Sequence, residues 1–166
     1  VSVLKRLALP LATASAVAIA AGTVGYFEGK ENSAYIDPVG VVTICYGHTS
    51  TARIGQTHSD AECERLLQQD LGEAFEAVER HVDAELPPTR EAALASFVYN
   101  VGEGAFARST LLRRLNAGQV QEACDELLRW VYAGGRVLRG LVTRRQAERE
   151  LCLMEPEHIL AGESHE

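Results

Sequence analysis

The stretch YFEGKENSAYIDPVGVVTICYGHT, residues 26–49, decides how the rest of this chain is read. Residues 33–48 are rich in β-branched and aromatic side chains, and a turn interrupts them. Asp37-Pro38-Val39-Gly40 has Asp at the first turn position, Pro with its preset φ at the second and Gly at the fourth. Val41 to Tyr46 then reads as a strand. It places Val41, Thr43 and Cys45 on one face and Val42, Ile44 and Tyr46 on the other. A small hairpin lobe is expected here.

Toward the N-terminus the character changes completely. Lys5 and Arg6 precede an uncharged run from Leu7 to Phe27, 21 residues long. At about 1.5 Å per residue a helix of that length just spans a hydrocarbon core of about 30 Å. Basic residues before the run and acid after it predict a cytoplasmic N-terminus with the remainder exported. Twelve of the 21 residues are Ala, Gly, Ser or Thr, and seven are Leu, Ile, Val or Phe. At about −0.3 to −0.6 kcal/mol for each strongly apolar residue, insertion gains little, and Pro10, Gly22 and Gly25 offset part of it. Such a segment should enter a bilayer and be able to leave it. A cleaved signal peptide, with small-residue patterns at Ala14-Ser15-Ala16 and Ala18-Ile19-Ala20, and a permanent anchor are the competing readings.

Toward the C-terminus the chain reads as helical. Ser59-Asp60-Ala61-Glu62 is a capping box, and Leu67, Leu71, Phe75, Val78 and Val82 make one apolar stripe behind it. This long helix, stopped at Pro87-Pro88, suits a connector between lobes. Shorter helices follow: Glu91 to Val101, Ser109 to Leu115, Val120 to Trp130 and Val142 to Leu153, broken by glycines. An acidic tail runs from Glu155. The organisation expected is a leader over residues 1–27, a folded body over 28–154 and a tail over 155–166.

Composition bounds the function. With 46% hydrophobic residues the chain can bury a core, and a net charge of −7 is the wrong sign for a general nucleic-acid binder. The charge is unevenly spread: residues 51–90 hold 4 basic and 9 acidic side chains, residues 108–149 hold 9 basic and 4 acidic. A basic lobe can face an anionic polymer while the whole stays acidic.

Chemistry is concentrated where the uncharged run ends. Glu28 follows it directly, Asp37 comes nine residues later and Thr43 six after that. An inverting glycosidase needs a protonated acid beside the leaving oxygen and an ionised carboxylate on the opposite face, with room for a water between. A Glu beside apolar surface suits the first role and an Asp in a polar turn the second. A strand hydroxyl can hold the water. Spacing alone is weak, because three ordinary polar residues at a helix end and a turn look the same.

The wider pattern is more specific. Phe27-Glu28-Gly29, Gly40 through Thr49, Ala93 through Gly102, Phe106 through Leu112, Arg129-Trp130, and Gly134-Gly135-Arg136 through Arg144-Arg145 together resemble the phage-type lysozymes, glycoside hydrolase family 24. The resemblance spans about residues 26–154. With the weak membrane run, it is similar to the signal-arrest-release endolysins of phages infecting Gram-negative bacteria.

That resemblance implies an α+β lysozyme-like fold. It also implies a muramidase cleaving the β-1,4 bond between N-acetylmuramic acid and N-acetylglucosamine of peptidoglycan, lysing the host at the end of infection. Glu28 would be the general acid, Asp37 the base and Thr43 its partner in holding water. Tyr99, Asn100 and Ser109 would line the sugar cleft, with Thr49 on the opposite lip. Arg136 would be an exposed helix-start residue or a partner of Glu28, and His48 a structural residue bonded to a carboxylate. No cofactor, metal or nucleic acid is implied. The protein would be a monomer, tethered to the host inner membrane through residues 7–27 and inactive there, then soluble in the periplasm after release. A non-catalytic wall-binding protein of this fold and a glycosidase acting on a chitin-like polymer are the alternatives.

Cys45, Cys63, Cys124 and Cys152 suit an oxidising compartment, and four thiols allow three pairings. Cys45–Cys63 and Cys124–Cys152 are favoured because each joins neighbouring elements. No Cys lies in residues 1–27, so exchange of a disulfide with the leader is not available.

Overall fold

The computed structural model describes residues 15–155. The part of the expected membrane run over residues 7–14, and the tail beyond Glu155, lie outside the described residues. Helix α1 (Ala16–Glu28) leads into a hairpin of β1 (Glu31–Ile36) and β2 (Val42–Cys45). Then come α2 (Asp60–His81), α3 (Pro88–Val101), α4 (Glu103–Ala107), α5 (Thr110–Asn116) and α6 (Val120–Glu126). A 3₁₀ turn, a two-residue hairpin of β3 (Tyr132–Ala133) and β4 (Arg136–Val137), and α7 (Arg139–Leu153) complete the chain. The expected α+β division is present.

Two apolar cores form, and they divide along α2. Ile44, Cys45, Ala52, Cys63 and Leu66 make the small one beneath the β1–β2 hairpin. From Leu67 onward α2 belongs to the large one, with Leu71, Ala74, Ala77 and Val78. One helix thus contributes its first turns to one lobe and the rest to the other, the connector that its stripe predicts. Its start is the predicted capping box: Ser59 Oγ accepts from the Glu62 N–H and the Glu62 carboxylate accepts from the Ser59 N–H. Its end differs from expectation. The helix stops at His81, and Pro88 instead opens α3 as its first residue, where proline's missing N–H has no cost.

Helix α3 runs through the middle of the large lobe, with Ala92 through Phe97 fully buried and α1, α2 and α7 packed around it. Alanines at 92, 93 and 95 allow those helices to approach closely. Helix α1 inserts Ile19, Ala20, Thr23 and Val24 into this core, all at 0% exposure. Thr23 can be buried because its hydroxyl donates to the Ile19 carbonyl at 2.8 Å. Among the described residues no helix is long and apolar enough to cross a membrane.

Disulfides Cys45–Cys63 and Cys124–Cys152 are the pairings expected; the first ties β2 to α2, the second α6 to α7. Three local expectations need correction. Strand β2 begins at Val42 and ends at Cys45, because Cys45 takes a positive φ of 62° and turns the chain. Gly134-Gly135, read as a helix stop, is the turn of the β3–β4 hairpin. Arg136 therefore stands on an exposed strand and does not start a helix.

Candidate active site

Glu28 is the last residue of α1, and Gly29 ends the helix with φ +69° while its N–H still bonds the Gly25 carbonyl. The chain then turns directly into β1, which brings the hairpin back across the helix end. A cavity of about 430 Å³ opens there, lined by Glu28, Gly29, Lys30, Glu31, Ser33, Ala34, Tyr35 and Cys45. Glu28 Oε1 accepts from Arg144 Nη1 at 2.6 Å, and the Glu28 side chain is 24% exposed while that of Arg144 is 4% exposed. The guanidinium also lies 5.7 Å from the centre of the Phe27 ring, so Arg144 grips two consecutive residues of α1. The partner of Glu28 is therefore Arg144 and not Arg136, which stands on the exposed strand β4. No local pattern points to Arg144, because the pair lies 116 residues apart in the chain.

Gly47 meets Glu28 from the other side. A Cβ built at Gly47 would stand 3.4 Å from Glu28 Oε2, and its φ is +83°. Any larger residue would be strained and would crowd the carboxylate.

Asp37 sits in the β1–β2 turn, half-buried, with its carboxylate fastened to backbone. Oδ1 accepts from the Val39 N–H at 2.9 Å and the Val41 N–H at 2.8 Å. Oδ2 has no partner among the described residues. Thr43 is buried at 5% exposure, lies opposite Tyr35 in the ladder, and donates its hydroxyl proton to the Val41 carbonyl at 3.1 Å. Its oxygen lone pairs are left to accept. Both residues belong to the hairpin that forms a wall of the Glu28 cavity, and neither is among the residues that line it.

A second cavity of about 300 Å³ lies between the lobes. Asp70, Glu73, Ala74 and Ala77 of α2 form its floor, Val98, Tyr99 and Gly102 one wall, and Gly47 through Ser50 the lip. Gly47 therefore borders both this cleft and Glu28. Thr49 and Tyr99 line the cleft. Tyr99 donates to the Tyr46 carbonyl at 2.5 Å. Burial, then the nearby Asp70 and Glu28 carboxylates, push its phenol well above the ordinary range, so it stays a proton-bearing donor. Asn100 and Ser109 are occupied elsewhere. Asn100 Oδ1 accepts from Arg145, and Ser109, 4% exposed, caps α5 by accepting from the Leu112 N–H. His48 is the structural residue expected, with Nδ1 2.7 Å from Asp70 and Nε2 2.7 Å from the Thr51 hydroxyl. It anchors the lip to the long helix.

Comparison with known proteins finds relatives over most of the chain. The family model described as phage lysozyme matches residues 25–148. The SAR-endolysin of Bacteriophage PS119 is 45% identical over 144 residues, covering 86% of this chain and 86% of that one. Among solved structures, the muramidase domain of SpmX from Asticaccaulis excentricus superposes with a TM-score of 0.77 at 36% identity, covering 82% of this chain and 95% of that one. A P22 lysozyme mutant gives a TM-score of 0.72 at 33% identity, covering 81% and 95%.

Proposed function

The chain belongs to the phage lysozyme family and is a glycoside hydrolase, a lytic endolysin, and we propose how its own residues cleave peptidoglycan. The substrate is the β-1,4 bond between N-acetylmuramic acid and N-acetylglucosamine. Glu28 gives its proton to the bridging oxygen as the bond from that oxygen to the anomeric carbon breaks. A water on the opposite face, held by the free lone pairs of Thr43 Oγ1, loses a proton to Asp37 Oδ2 and attacks that carbon. Configuration is inverted, and solvent returns Glu28 and Asp37 to their starting protonation. Thr49 and Tyr99 border the cleft in which neighbouring sugars lie. Basic residues of the C-terminal half supply local attraction to the anionic wall that the whole chain, at −7, does not.

The observation that carries this reading is Glu28 held at a cavity mouth between Arg144 and Gly47, on the helix that leads into the hairpin bearing Asp37 and Thr43. Replacing Glu28 by Gln keeps shape and removes the acid. Release of new sugar ends from purified peptidoglycan should fall about 10²- to 10⁴-fold while wall binding persists. Equal hydrolysis by this variant would rule out the assignment. Analysis of the anomeric configuration of the first product tests inversion separately.

The leader of residues 1–27 and the catalytic body share α1. In the tethered protein the uncharged run spans the inner membrane, so Ile19, Ala20, Thr23 and Val24 face lipid and Glu28 is held apart from Asp37 and Thr43. Loss of the proton-motive force lets the run leave the bilayer, α1 docks against α3, and a soluble periplasmic monomer becomes active. Support comes from the burial of that same helix face in the folded body. Wall cleavage by membranes carrying the protein, compared before and after depolarisation, tests it: activity should rise on depolarisation, and no change would refute the tether.

A further inference from the structure

Glu148 on α7 is a carboxylate outside the proposed reaction, yet it is completely buried, at 0% exposure. A charge so placed must be fully paired to be tolerated. Its Oε1 accepts from Ser96 Oγ at 2.7 Å and from Arg144 Nε at 3.1 Å, and its Oε2 from Arg145 Nη1 at 2.5 Å. Arg144 Nη2 in turn donates to the Ser96 carbonyl at 3.1 Å. Two edges of the Arg144 guanidinium are therefore held by α3 and α7 alone, with no help from α1. The group is planar, so fixing those edges fixes the direction of Nη1, the nitrogen that meets Glu28.

We propose that Glu148 is a positioning residue for hydrolysis: it sets the plane of Arg144, and through Arg144 the aim of the Glu28 carboxyl. Charge counting agrees with the geometry. Glu148 is the buried counter-charge shared by two buried guanidinium groups, Arg144 and Arg145; without it both cations would bear on Glu28, the group that must carry the proton. A packing role alone does not need this donor set, because a leucine would fill the space. The inference rests on Glu28 being the proton donor.

The test uses the full chain, with kcat and KM measured on purified peptidoglycan alongside the thermal midpoint. Glu148→Gln keeps the shape and loses the charge; kcat should fall about tenfold with KM within about twofold. Arg144→Lys should fall by a similar factor, and the double variant no further than the worse single one, because both act on Glu28 by one route. Ser96→Ala removes the hydrogen bond to Glu148 and a long one, at 3.4 Å, from Arg144 Nη2, and leaves every charge in place. It should lower kcat about threefold, and it decides the matter if Glu148→Gln does not fold. Unchanged kcat in a folded variant, a rise in KM alone, or losses that multiply in the double variant overturn the proposal. If Glu28→Gln still hydrolyses peptidoglycan, the proton-donor reading fails instead. If Glu28→Gln is inactive while the Glu148 and Ser96 variants match the parent, only the positioning role is lost.

Discussion

Helices α1 and α2 both pack against α3, and they differ in almost every local property. Helix α2 opens with a capping box, carries acid in its first turn and base in its last, and buries one stripe. Helix α1 has Ser15 accepting from the Ala18 N–H as its N-cap and no charge before Glu28. An amphipathic helix specifies its own rotation, because turning it would expose the stripe and bury charge. An apolar helix of small residues has no such preference and is at home in lipid or in a protein core. What orients α1 is its surroundings: the alanine-rich surface of α3, and Arg144 holding Phe27 and Glu28 at its far end. The helix that carries Glu28 is thus the one whose place is least specified by its own sequence.

Substitutions can separate the two kinds of helix. The largest effect is expected from Ile19→Ala, which empties a fully buried site in α1. It should lower folding stability by about 2–5 kcal/mol, read by urea unfolding, as Leu71→Ala should in α2. A cost below about 1 kcal/mol would mean α1 is not integral to the core. Next is Ala20→Leu, which overpacks the contact with α3 and should cost about 1–3 kcal/mol. Ala18→Leu, on the exposed side of the same helix, should change folded stability by less than about 0.5 kcal/mol. Both add a strongly apolar residue to the run proposed to span the membrane, so on that proposal both should slow release, measured as the delay between depolarisation and lysis. Release at the parental rate for Ala18→Leu would break the link between hydrophobicity and escape.

Ser59→Ala, which removes the cap of α2, should cost about 1 kcal/mol and leave kcat unchanged. Of the effects considered, the smallest is that of acid. Asp60, chiefly through its hydrogen bond to Lys30, and Glu62, chiefly through the Ser59 N–H, have carboxyls held below their ordinary range. Glu103 is held low in the same way by Arg80 and His81. A lowered folded pKa means the stabilisation is present above the unfolded value and is lost as pH falls through the folded one. Thermal midpoints should therefore decline below about pH 4, gently, since all three groups are exposed. A Glu62→Gln variant should show a shallower decline, and an identical slope would remove the cap from the explanation.

Much of the fold was legible before any coordinates. The Asp37–Gly40 turn, the capping box at Ser59, the stripe of α2 and the breaks at Gly102 and Gly118 each rest on neighbours within a few residues. Contacts between distant segments were harder to read. Arg136 was a candidate partner for Glu28, whereas Arg144 is the partner, because only the docking of α7 on α1 and α3 decides which arginine arrives. Helix α4 is five residues long and has too few turns to leave a period in the sequence. Ser109 illustrates the same limit, since a serine before a helix reads equally as a cap or as a sugar ligand.

By itself the sequence determined the hairpin, the long connector and the family pattern around Glu28, Asp37 and Thr43. These follow from local propensities and from residue identity, which need no partner. Tertiary structure alone decided that residues 16–27 of the uncharged run form a helix packed into the core of the folded body, and that a buried arginine cluster receives its charged end. The reason is that an apolar helix without a polar face carries no instruction about what should cover it. Only packing against α3, and the pairing of Glu28 with a guanidinium held from behind, selects one environment over the other.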